Sequence, residues 1–247
     1  MKKILLITCA LACTLFADIK AYNYCEGDVM TVVATSGLRL RMSPDINART
    51  IHILKFGEMV VVVDTDSFVT QNEDRISWMD GHWVKVRYGN LAGYAFDGFL
   101  STLTVPTHEN QLCIDCNSVT VPLDRYISDN YTSVSIEEGS QHSEEIAQFV
   151  TQHDGGITAT RTSGEGWYEL EAVFEGRRLC EVLNLLRSMM VDDHLRQSFE
   201  DSLIFREDRT GHINKVEVTL YDNPIHITSE NGRVTLSTVV FSLEDGC

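Results

Sequence analysis

The chain has 247 residues, 43% of them hydrophobic, and a formal net charge of −16. That length allows one large or two modest domains. The acidic balance argues against nucleic acid and against anionic membrane surfaces as partners, because both call for a basic face.

Met1-Lys2-Lys3 followed by the apolar residues 4–16 reads as a secretory signal. The run is too short to cross a bilayer, so the mature chain is expected to be exported, periplasmic or extracellular, without a transmembrane helix. Cleavage is expected after Ala17, although Leu15 departs from the small residue preferred two places before it. A lipid anchor through Cys13 is disfavoured, because the Leu of Ala10-Leu11-Ala12-Cys13 stands one place late. The mature chain keeps Cys25, Cys113, Cys116, Cys180 and Cys247 as disulfide candidates. Export permits disulfides, and an odd count leaves at least one thiol unpaired within the chain.

Residues 29–34 are apolar and β-branched and read as a first strand. Leu38-Arg39-Leu40-Arg41 and Trp83-Val84-Lys85-Val86 alternate, and Met59-Val60-Val61-Val62-Val63 is β-branched. Gly, Pro, Asp and Asn separate these runs, which predicts a small antiparallel β unit. Tyr88-Gly89-Asn90 is a hairpin turn signal.

Leu38, Arg41 and Pro44 are followed by Leu54, Gly57 and Val60, then Trp83 and Val86, then Gly93, Tyr94 and Ala95. In this order the motifs resemble the bacterial SH3-like (SH3b) domain family over residues 29–104. The resemblance implies a small β-barrel that recognises cell-wall peptide or glycan, or an envelope protein. Ala95 replaces the usual Val, and the polar insert at 64–81 stands where the family has a short loop. The resemblance also implies neighbouring chain ends. From that comes an expected disulfide between Cys25 and Cys113 or Cys116, fastening the lead-in to a linker at 105–118.

This unit is rich in aromatics. Trp78, Tyr88, Tyr94 and Phe96 are candidate ligand contacts, since small barrels of this kind bind through aromatic grooves. Trp83 reads as core, and Tyr94 reads equally well as core. Trp78, inside the polar insert, is the aromatic most readily placed on a surface.

Residues 119–247 predict an α+β domain. Residues 119–123 and 132–136 are short strand candidates. Ser143-Glu144-Glu145-Ile146 fits a helix start with Ser143 as N-cap, on a run too short to exclude a strand. Residues 157–162 and 167–174 predict a hairpin. Leu179, Val182, Leu183, Leu186 and Met190 form a one-sided apolar stripe, the clearest helix, with Arg178, Glu181 and Arg187 on the wet side. A broken extension reaches towards Phe199. Residues 202–206, 215–221, 225–229 and 233–243 predict a meander, with Asn231-Gly232 as a tight turn. The fold class expected is mainly β or α+β. A small SH3-like barrel precedes a domain built from an antiparallel meander and one amphipathic helix.

The chemistry visible in the sequence is sparse. Cys113-Ile114-Asp115-Cys116 is a single Cys-x-x-Cys with no second ligand pair, so a structural disulfide is preferred to zinc or redox use. Cys180 reads as a buried thiol inside the striped helix. No nucleophile–base pair or metal motif stands out, so no catalytic residue, metal or cofactor is expected. The expected role is a non-enzymatic binding module for cell-wall peptide or an envelope protein. A wall hydrolase with a catalytic C-terminal region and a secreted inhibitor or structural protein are the rivals.

Overall fold

The computed structural model describes residues 25–64, 74–76, 78–115, 118–120, 122–138, 146–190, 192–220 and 223–241. The expected signal segment, Cys116 and Cys247 lie outside the described residues, as do residues 65–73 of the insert.

The first unit contains β1 (Val29–Val32), β2 (Leu38–Arg41), β3 (Thr50–Leu54) and β4 (Met59–Asp64). A short hairpin of β5 (Asp74–Ile76) and β6 (Met79–Gly81) comes next, then β7 (Trp83–Tyr88), β8 (Leu91–Phe96) and β9 (Leu100–Ser101). Apart from the β5–β6 hairpin, these strands form one sheet in the order β3-β2-β8-β7-β4-β1-β9, open at its two end strands. All of its pairings are antiparallel. Period-two alternation puts Val60, Val62, Val84 and Val86 inside with Met30, Leu40 and Leu54, while Lys85 and Arg87 point outwards. Gly93 lets β8 run close to β2: a Cβ there would stand 2.6 Å from the Arg41 carbonyl oxygen.

The second unit begins with β10 (Cys113–Asp115), β11 (Ser118–Thr120), α1 (Leu123–Asn130), β12 (Ser133–Glu138), β13 (Ala147–His153), β14 (Ile157–Gly164) and β15 (Trp167–Glu175). It continues with α2 (Leu179–Ser188), α3 (Asp193–Ser202), β16 (Ile204–Glu207), β17 (Ile213–Leu220), β18 (Asn223–Glu230) and β19 (Arg233–Phe241). β12 to β19 form an antiparallel sheet in the order β12-β13-β14-β15-β19-β18-β17-β16. Leu170, Ala172 and Phe174 of β15, with Val216, Ile227 and Leu236, bury one face against the three helices. Asn231 and Gly232 take φ of 52° and 76°, the left-handed pair that turns β18 into β19. The chain is thus mainly β, with antiparallel sheets and helices on one face of the larger one.

Several sequence expectations change here. Residues 123–130 form α1 rather than the end of a strand: Leu123, Tyr126 and Ile127 are buried at helical spacing. Residues 147–153 form β13, paired on both sides, which resolves the run after Ser143 as the strand and not the helix start it also fitted. α1 is additional to the one helix expected, and the broken extension read towards Phe199 is a separate helix, α3. Asp192 starts α3 by accepting from the His194 and Leu195 N–H groups, at 2.8 and 3.0 Å. The wet side assigned to α2 is largely dry, because Glu181 is buried and Arg178 nearly so.

The stretch expected as a linker packs into the second unit. Leu112 enters its core, as does Leu103 just before the stretch, and the Leu112 N–H donates to Met189 O at 2.9 Å. That path carries Cys113 to the far end of α2. Cys25 stays beside β4, where the Gly27 N–H donates to Val62 O at 2.8 Å. Cys25 is exposed, and the expected pairing with Cys113 or Cys116 falls on side chains outside the described residues.

Candidate functional site

A cavity of about 310 Å3 opens beside β2 in the first unit. Trp83, Phe96 and Phe99 supply its aromatic surface. Trp83 meets Phe96 edge-on at 5.8 Å between centroids, and Phe96 meets Phe99 at 6.0 Å. Trp83 has the parity of Lys85 and Arg87 rather than of Val84 and Val86, so it and the paired Phe96 lie on the outer face of this sheet, where Met79 and Cys180 cover them. The insert supplies one wall. Ile76 lines the cavity, and Asp74 Oδ2 accepts from Trp83 Nε1 at 3.1 Å, which fixes the indole.

The opposite wall carries the charge. Arg39 and Arg41 of β2 both line the cavity, with Ser36 at its rim. Arg41 is only 7% exposed; its Nη1 donates to Ala48 O at 2.7 Å, and its guanidinium carbon lies 5.8 Å from the Trp83 ring centroid. Such a cation–π contact contributes about 0.5–2 kcal/mol, more as it is desolvated. The bond to Ala48 also anchors the turn at 43–48, whose Ile46 stands exposed at the lip. Gly37, at φ +88°, makes the turn into β2 with Leu54 O 3.0 Å from where a Cβ would be.

The second unit braces the floor from behind. Cys180 of α2 packs in one cluster with Met79, Trp83 and Phe96. Burial pushes its thiol up to about 12, so it stays protonated and inert at neutral pH. Asn184 Nδ2 donates to Gly98 O at 2.9 Å. Arg178 pairs with the buried Asp97 at 2.8 Å and with Glu181 at 3.3 Å. Glu181 Oε2 accepts from Ser101 Oγ, the Thr102 N–H and Thr102 Oγ1 at 3.0–3.2 Å. These bonds hold the turn Asp97–Phe99, and with it the cavity ring of Phe99. The β5–β6 wall is tied across as well: Arg75 pairs with Glu207, and the Ile213 N–H donates to Asp80 Oδ2.

The four aromatics expected as ligand contacts end in different places. Phe96 reaches the cavity, but as a buried part of its floor. Trp78 stacks on Phe205 at 5.3 Å and belongs to the junction between the units. Tyr88 sits at the other end of the hairpin, stacked on His52 at 5.2 Å and donating to Glu58 Oε1 at 2.7 Å. That bond to Glu58 raises the phenol above its ordinary value. Tyr94 is half-buried against the Trp83–Phe96 cluster. Arg39, Ile46 and Ile76 join the site without a sequence signal of their own, Phe99 comes from the aromatic-rich composition of this unit, and Trp83 is both core and cavity wall. The motif Leu38-x-x-Arg41 is the one sequence feature that points to this wall.

Among the described residues there is no group of three His, Cys, Asp or Glu placed to hold a metal ion. Among them, too, no helix is long and apolar enough to cross a membrane. No protein-family model, no curated protein and no solved structure matches this chain.

Proposed function

We propose that the protein is a non-enzymatic binding module of the bacterial envelope, holding a peptide or glycan segment, or an extended part of a protein partner, in this cavity. The observation that carries the reading is the cavity's composition: an aromatic floor with a few fixed polar groups. Ligand sites commonly take that form, at about 300–1,000 Å3. The cavity's volume is at the lower end of that range, which suits a residue or two rather than a long segment.

Two sequence readings join it. The resemblance of residues 29–104 to the SH3b family makes the first sheet an SH3-like barrel and recognition of wall peptide its task. The signal read at residues 1–17 supplies the compartment. In this account α2 and the large sheet are the brace that keeps the binding surface shaped, and no cofactor is needed.

An array of short peptides and glycan fragments, probed with the full chain and with Ser36→Trp, tests the proposal. Ser36 is exposed at the rim, so an indole there fills the cavity with little cost to the fold. Fragments retained by the wild type should be lost from the variant while its thermal melt is unchanged. Retention that survives Ser36→Trp would move the site elsewhere.

A further inference from the structure

We infer that the cavity selects a ligand bearing a carboxylate next to an apolar group. This rests on the cavity being the binding site. The chain's net charge of −16 repels anions at long range, so a local cationic pair inside a cavity demands a reason. Two guanidinium groups line this one, and among the described residues its lining includes no Asp or Glu. The nearby Asp74 carboxylate is engaged by Trp83 Nε1 and by the Arg75 N–H.

The two arginines divide the work. Arg41 is nine-tenths buried and has five N–H donors. Among the described residues its guanidinium makes one hydrogen bond, to Ala48 O, and no ion pair. Contact with Trp83 and the Ala48 bond hold its plane still, so little side-chain entropy is lost when an anion docks. Arg39 is exposed at the rim and makes no ion pair among the described residues. A carboxylate entering between them accepts charge-assisted bonds in a partly desolvated place. Trp83, Phe99, Ile46 and Ile76 leave the rest of the volume for an apolar group.

A carboxylate beside an apolar group occurs at a peptide's C-terminus and in a Glu or Asp side chain next to an apolar residue. The test uses calorimetric titration of the full chain with phenylpropionate and with its neutral amide. The acid should bind at least about tenfold more tightly, as charge-assisted bonds exceed neutral ones. The preference should shrink in high salt, and Arg39→Gln should remove most of it; Arg39 is exposed, so the variant is expected to fold. N-acetyl-Ala-Phe, its C-terminal amide and N-acetyl-Glu-Phe-amide then distinguish the two sources. Loss on amidation assigns the chain end, and retention by the Glu peptide assigns the side chain. Equal affinity for acid and amide overturns this inference and leaves the cavity as a site. An Arg39→Gln protein with the full preference overturns the role given to the arginine pair. No binding of either probe overturns both this inference and the reading beneath it.

Discussion

Replacing Arg178 with methionine tests how firmly the second unit holds the cavity floor. The guanidinium lies 2.8 Å from Asp97 Oδ2 and 3.3 Å from Glu181 Oε1, and it donates to Asp97 O and Leu100 O, each at 3.0 Å. Asp97 is 0% exposed and Glu181 3%. Methionine keeps the apolar stem and leaves two buried carboxylates without their shared cation. Removing one side of a buried pair costs about 3–5 kcal/mol, against a total stability of about 5–15 kcal/mol for a typical domain. Arg178 keeps 16% of its side chain in contact with solvent, so the lower half of that range is expected.

The pH dependence is diagnostic. Burial pushes the Glu181 carboxyl up, but Arg178 and the N–H groups of Thr102 and Arg178 outweigh it and hold the carboxyl below its ordinary value. A carboxyl lowered in the folded state stabilises fully above its unfolded value and loses that contribution as pH falls through the folded one. Without Arg178 burial dominates, Glu181 binds its proton sooner, and the penalty shrinks as the medium is acidified. Urea unfolding should therefore show a gap between wild type and Arg178→Met that is wide at neutral pH and narrow in the carboxylate titration range. A gap below about 1 kcal/mol at neutral pH, the size of a surface pair, would show that Arg178 does not hold the two buried carboxylates. A gap of the same size at both pH values would show the same.

Trp83→Ala should cost about 3–5 kcal/mol, because the indole is 4% exposed and meets both Phe96 and Arg41; denaturant melts showing a loss under about 1 kcal/mol would place it on the surface. Gly93→Ala should cost about 1–3 kcal/mol through overpacking against the Arg41 carbonyl. Gly57→Ala, at φ +80° with nothing within 4 Å of a Cβ, should cost only the backbone term of about 1 kcal/mol; equal losses would remove the close-approach argument. In the folded protein a thiol reagent should label Cys25 quickly and Cys180 only on unfolding, since one is exposed and the other buried. Peptide mapping that finds both labelled at one rate would contradict the packing of α2.

Strands with one buried face are plain in the sequence. Val60 and Val62, or Leu170, Ala172 and Phe174, alternate because a pleated strand must. The Asn231-Gly232 turn is equally legible, since few other pairs accept positive φ at both positions. α1 is hidden because it spans only eight residues and comes after the strand-like Val119-Thr120-Val121-Pro122. The residues after Ser143 are ambiguous because Ile146, Phe149 and Val150 fit a helical face as well as a strand. Glu181 and Arg178 mislead for a different reason. Local periodicity marks which side of a helix is polar, and it cannot show that a second unit will cover that side. The cavity is largely illegible for the same reason. Ile46, Ile76, Trp83 and Phe99 lie far apart in the chain, and only the pairing of β2 with β8 and the brace from α2 brings them to one place.

Ligand binding is proposed at this cavity and not on the large sheet. Mapping amide and indole NMR shifts over the full chain during a phenylpropionate titration distinguishes the two surfaces. The largest shifts should fall on the Trp83 indole, Arg41, Ile46 and Phe99, with smaller ones on Asn184 and Cys180 behind the floor. Shifts confined to β12–β19, with Trp83 unmoved at saturation, would contradict that placement.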